Sequence, residues 1–197
     1  DEVSAKHWSR DEGGGSVYLR LSTRSIKQPN RLFTPELRNG VIEGGYWIKE
    51  PKIGSDTAII FSGAVAPEAI AAWEIITNQT PGVGLLCITS ADRLNAGWMA
   101  AQKARQNGNN QFKSYIELLL APLARQAGLI TVMDGHPAAL SWIGGVRGQR
   151  TESLGVEHFG QSGGIDDLYS AYRIDTSAIL RAYEATCRAR IAIIEKK

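Results

Sequence analysis

Apolar and polar positions change their period several times along the chain, and each change marks an element. Residues 2–10 are weakly helical, and Gly13, Gly14 and Gly15 break that pattern before residues 16–24, where Val17, Leu19 and Leu21 alternate with polar neighbours as in a strand. Residues 25–40 carry Pro29 and Pro35 with little periodicity and read as a linker. From residue 41 onward strands and helices alternate. Residues 41–50 and 57–61 are strand candidates, and residues 66–79 form a helix with Pro67 in the first turn, where a missing N–H costs nothing. The unbroken apolar run 83–89 suits a strand covered on both faces, and 129–134 is a second such strand. Helices are expected over 90–106 and 114–128 around the polar loop 107–111, over 136–147, over 166–172, and from Thr176 to the end, with a last strand at 151–156. This alternation predicts a mostly parallel sheet between layers of helices, an α/β fold.

Bulk properties narrow the function classes. With 22 Lys and Arg against 20 Asp and Glu, the net charge is +2, and no run of like charge suggests a nucleic acid groove or a polybasic membrane patch. No apolar stretch is long enough to span a bilayer, so neither nucleic acid nor membrane is an expected partner. The first residues show no signal-peptide layout and no initiator Met, which predicts a trimmed or truncated chain. Cys87 and Cys187 form no C-x-x-C pair, and His7, His136 and His158 are scattered, so the expectation is two reduced thiols in a cytoplasmic protein and no zinc site.

Three features could carry chemistry. Gly160-Gln161-Ser162-Gly163-Gly164 reads as G-x-S-x-G, but no histidine follows Ser162 and the preceding strand ends too early for a nucleophile elbow. A structural turn is expected there instead, with positive φ at Gly160, Gly163 and Gly164 and a helix cap from Ser162 or Asp166. His136 follows a buried strand and precedes Pro137, which puts it either at a ligand crevice whose helix N-terminus favours an anion, or simply at a strand end bonded to a neighbouring carbonyl. Arg24, Lys27 and Arg31 are spaced so that some could face a negatively charged group, although solvated linker charge is the plainer reading. The loop tip at Gly108, Asn109 and Asn110 reads as exposed.

Several segments in order resemble the C-terminal third of thiamine diphosphate enzymes of the transketolase superfamily. Residues 16–29 are similar to the last strand and exit of the family's pyrimidine-binding domain. Residues 41–50, 57–76, 83–95 and 153–180 follow the layout of its C-terminal domain, with the nearest likeness to the homodimeric pyruvate dehydrogenase decarboxylating component. The resemblance implies a three-layer αβα domain over 34–197 with a five-stranded, mostly parallel sheet and an antiparallel edge strand at 41–50, preceded by the tail of another domain over 1–33. It implies thiamine diphosphate and Mg2+ in a parent enzyme, an oxidoreductase or a transferase. It implies no catalytic, cofactor-binding or metal-binding residue in this segment, because the family's G-D-G followed by Asn is absent, and so the segment alone should be inactive. Arg24, Lys27, Gln28 and His136 are the implied substrate-rim candidates. A transketolase arginine that binds substrate phosphate aligns with Thr23, one residue before Arg24, and a rim histidine of the pyruvate dehydrogenase type falls near Lys27. Implied partners are the other domains of the parent, a second copy of the chain and an acyltransferase component. The small residues of 137–146 suggest close packing of that second copy. Transketolase activity on sugar phosphates and a cofactor-free assembly or regulatory module stand as alternatives.

Overall fold

A computed structural model describes residues 22, 24–27, 31–158 and 160–194. The helix expected over 2–10 and nearly all of the strand expected over 16–24 lie outside the described residues, as does Gln28.

The stretch read as a linker contains a helix, α1 (Pro35–Glu43). Its grammar is local: Thr34 Oγ1 accepts the Leu37 N–H at 3.2 Å, Pro35 opens the helix, and Gly44 closes it at φ 112°, donating its N–H to Gly40. Weak amphipathicity hid the helix from periodicity, and residues 41–43, expected as strand, are its last turn. Strand β1 (Gly45–Lys49) follows directly, then β2 (Ser55–Ser62), α2 (Ala66–Gln79), β3 (Gly84–Ile88) and α3 (Ala91–Gln106). Next come α4 (Tyr115–Leu120) and β4 (Leu123–Met133). The helix expected to run to Gly128 therefore stops at Leu120. Pro122 cannot continue it, and residues 123–128 join β4 despite the helical preference of Ala, Arg and Gln. Arg147 donates to the Leu120 and Leu123 carbonyls and Gln149 to Ala124, which fixes the extended entry of that strand. The helix expected over 136–147 is a single turn, α5 (Ala138–Ser141), continued as a tighter 3-10 turn over Trp142–Val146. Strand β5 (Thr151–Leu154), α6 (Ile165–Ala171) and α7 (Thr176–Ile194) complete the order.

The five strands form one sheet in the order β1-β3-β2-β4-β5. β1 pairs antiparallel with β3 at the edge, and every other pairing is parallel. The expected α/β fold, a three-layer αβα arrangement with a mostly parallel sheet and one antiparallel edge strand, is the one observed. Successive side chains point to opposite faces, so neighbouring apolar residues feed two separate cores. Ala58, Ile60, Leu86 and Leu129 pack with Leu94, Ile116 and Leu120 under α3 and α4. Ile59, Phe61, Leu85 and Ile130 pack with Ala72, Ile76 and Ile179 under α2 and α7. Burial on both faces explains why β2, β3 and the second half of β4 read as continuous apolar runs.

Two glycines allow close approaches, one across neighbouring strands and one between the sheet and α7. A Cβ on Gly84 would stand 2.5 Å from Trp47, and one on Gly128 would overlap the Cγ2 of Thr186 in α7. In the stretch 137–146, Gly144 packs against Thr151 and the Gln149 carbonyl and Gly145 meets Trp98, while Ala138, Ala139 and Ser141 are exposed.

Candidate functional site

In a parallel sheet, loops leaving the carboxyl ends of the strands shape the ligand crevice, most of all where neighbouring connections diverge. Here β2 turns toward β3 and β4 toward β5, so the divergence falls between the exits of β2 and β4. β2 leaves through Gly63 at φ 81°, and a Cβ there would stand 2.7 Å from Asp134 Oδ1 just past β4. That close approach keeps the two exits together.

Arg24 reaches this point. Its Nη1 donates to the Ala64 carbonyl at 2.8 Å and to Glu68 Oε2 at 2.9 Å, while Nη2 donates to Glu68 Oε1 at 2.6 Å. The guanidinium also lies 4.8 Å from the ring centre of Tyr169 in α6. With side-chain exposures of 17% and 13%, Arg24 and Glu68 form a mostly buried, two-pronged pair. The bonds that Arg24 donates to Glu68 push its pKa further above its ordinary value, against the opposing effect of burial. Burial raises the Tyr169 phenol and the Asp134 charge adds to it, with Arg24 pulling the other way. Glu68 sits in the first turn of α2, where nothing in the sequence marks it as the partner of an arginine.

Lys27 lies nearby, lining a cleft with Ile26, Arg31 and residues of β1, β2 and β3. His136 is exposed, and its Nδ1 accepts the Ala138 N–H at 3.2 Å. The histidine thus ends its strand by taking up a backbone donor, rather than by donating to a carbonyl. It does not line the cleft that holds Lys27. Arg24 and Lys27 are therefore close, His136 stands apart, and Gln28 lies outside the described residues.

The G-x-S-x-G stretch is a turn before α6, as expected, but by different means. Of its three glycines only Gly160 takes positive φ, at 110°. Gly164 is itself the N-cap at φ −61°, ψ 151°, with no side-chain cap bond from Ser162 or Asp166, and Asp166 and Asp167 instead face the positive helix end. Cys87 and Cys187 are both free thiols.

Among the described residues no three His, Cys, Asp or Glu side chains converge on a point that a metal ion could occupy. The exposed tip Gly108-Asn109-Asn110 offers no carboxylate to one. No step of cofactor chemistry is assigned to the described residues. No described helix is long and apolar enough to cross a membrane.

No family model and no curated protein matches the sequence. Solved structures do match in shape. A split-gene transketolase, solved as an inactive β4 tetramer, superposes with a TM-score of 0.53 at 16% identity, covering 83% of this chain and 46% of its own. The transketolase of Leishmania mexicana gives 0.52 at 14% identity, over 76% of this chain and 19% of its own. A Pichia stipitis transketolase in complex with sedoheptulose-7-phosphate gives 0.50 at 15% identity, over 77% and 19%. The fold is transketolase-like. At such identities the likeness concerns the fold alone, and the chain spans less than half the length of each of these three transketolases.

Proposed function

We propose that this chain is the C-terminal lobe of a thiamine diphosphate-dependent enzyme of the transketolase superfamily, bordering the active site and supporting assembly, with a domain boundary near Thr34. The supporting observation is the five-stranded αβα sheet with its antiparallel edge, shared with transketolases. That boundary also coincides with the cap of α1. In the parent, bound thiamine diphosphate would supply a nucleophilic carbon and an electron sink for the substrate carbonyl. This chain's residues hold the rim: the Arg24–Glu68 pair ties the chain at Arg24 to the start of α2 beside the β2 exit.

The substrate class we favour is a 2-oxo acid, in a pyruvate dehydrogenase-like component, with an acyltransferase as the downstream partner. The observation that weighs against a sugar phosphate held by Arg24 is the engagement of that side chain. Both terminal nitrogens of its guanidinium already bond to Glu68, which leaves it poorly suited to grip a sugar phosphate. The transketolase reading draws on the identity of the fold neighbours, one of them in complex with a ketose phosphate. Self-association is part of the proposal, and the split-gene neighbour, an inactive β4 tetramer, supports reading a partial chain of this fold as able to assemble without activity of its own.

Turnover of 2-oxo acids and of ketose phosphates by the complete gene product tests the choice. The expected result is decarboxylation of a 2-oxo acid without saturable use of a ketose phosphate. Saturable ketose phosphate turnover, with a KM raised by Arg24→Met at unchanged kcat, supports transketolase instead. Sedimentation of the same product checks the dimer, which a monomer at micromolar concentration contradicts.

A further inference from the structure

Beside the Arg24 anchor lies a cleft of about 370 Å³, whose walls and rim differ sharply in character. Its walls are Ile48 of β1, Phe61 at the end of β2, and Pro67 and Ile70 of α2. Its cations come from the segment in front of α1. Arg31 stands 4.9 Å from the ring centre of Tyr46, and Lys27 lines the same rim. Unlike Arg24, neither Lys27 nor Arg31 is ion-paired with a carboxylate among the described residues. At the floor the Tyr46 hydroxyl and the Cys87 thiol interact, and burial keeps both neutral: it pushes Tyr46 up to about 12 and raises Cys87 as well. The lining named here thus carries positive charge and no negative charge at neutral pH, beside walls that favour hydrocarbon. Its volume falls in the range of about 300–1,000 Å³ common for small-molecule sites, which pair apolar walls with a few polar groups.

We propose that this cleft binds a small carboxylate with an unbranched apolar body, its head at Arg31 with Lys27 alongside, and its chain between Phe61, Ile70 and Ile48. A guanidinium stacked on an aromatic face is already oriented, so it loses little freedom on gripping a carboxylate. The site is independent of the thiamine reading, and either can fail without the other. It also places Cys87 under the bound ligand while Cys187, on α7, lies away from it.

The test uses sodium octanoate and 1-octanol, two ligands of equal chain length that differ in charge, titrated into the full-length protein by ligand-observed NMR. In parallel, N-ethylmaleimide labelling of the peptides bearing Cys87 and Cys187 is followed by mass spectrometry. Octanoate is expected to bind roughly tenfold or more tightly than octanol, the scale of one charge-assisted bond, and to slow labelling of Cys87 but not of Cys187. Arg31→Met should remove most of that preference while leaving octanol unaffected, and Ile70→Trp, which fills the cleft, should abolish binding of both. Equal affinity for the two ligands overturns the proposal, as does a preference that survives Arg31→Met or labelling of Cys87 that octanoate leaves unchanged.

Discussion

Replacing Gly128 with Ala tests how α7 lies on the sheet. Gly128 faces Thr186, which is 1% exposed, and the added Cβ would fall on the Thr186 Cγ2. Thr186 cannot swing aside freely, because its Oγ1 donates to the Ala182 carbonyl at 2.9 Å. Forcing an extra methyl into a packed interior costs about 1–3 kcal/mol. The φ of Gly128 is not in the left-handed region, so alanine also stiffens the unfolded chain and returns about 0.4–1 kcal/mol. The net loss is about 1.5 kcal/mol, which for a domain of this size lowers the melting midpoint by roughly 3–6 °C. Thermal unfolding followed by near-ultraviolet circular dichroism reads this shift. Thr186→Ser removes the clashing methyl and keeps the hydroxyl, so adding it to Gly128→Ala should recover most of the loss, with a coupling of about 1 kcal/mol. An unchanged midpoint for Gly128→Ala, or a double variant no better than the single one, would refute this packing of α7 on β4.

For the anchor, Arg24→Met and Glu68→Gln should each cost about 2–4 kcal/mol, because each strands a mostly buried partner, while the double variant loses much less than the sum. Additive losses in urea unfolding would show that the two side chains are not coupled. Glu117 gives a pH signature. Burial alone would raise its pKa, but bonds from Ser114 and the Arg105 guanidinium 3.0 Å away leave it lowered overall. A lowered folded-state value stabilises above the ordinary glutamate range, and the contribution disappears as pH falls through the folded value. Midpoints measured across acid pH should therefore drop less steeply for Glu117→Gln than for the parent chain, and identical slopes would count against the bonding of Glu117 to Ser114 and Arg105 at α4.

What the sequence made legible follows from how each signal arises. Runs such as 57–61 and 129–134 are apolar because both faces are buried, and α2 was visible with its bounds because its N-terminal proline and apolar stripe agree. The stretch 123–128 was misread because its helix-forming residues are overruled from outside, by Pro122 and by Arg147 and Gln149, which lie far along the chain. α1 was missed for the opposite reason: its caps are plain in Thr34, Pro35 and Gly44, but it buries little and so shows little periodicity. At the site, Arg24 and Lys27 were visible as charges near a family boundary. Glu68, Tyr169 and Asp134 were not, since only the folded sheet brings the exits of β2 and β4 beside α6. The turn at Gly160 was legible as a turn, whereas its cap was not, because glycine at an N-cap is chosen by backbone geometry and carries no side-chain signal.

The most direct test of the scaffold reading is calorimetric titration of thiamine diphosphate with Mg2+ into two samples: the 197-residue chain, shown to be folded by circular dichroism, and the complete gene product. Saturable binding to the complete product alone is the predicted result. Binding to the 197-residue chain by itself, or none to the complete product, would contradict it.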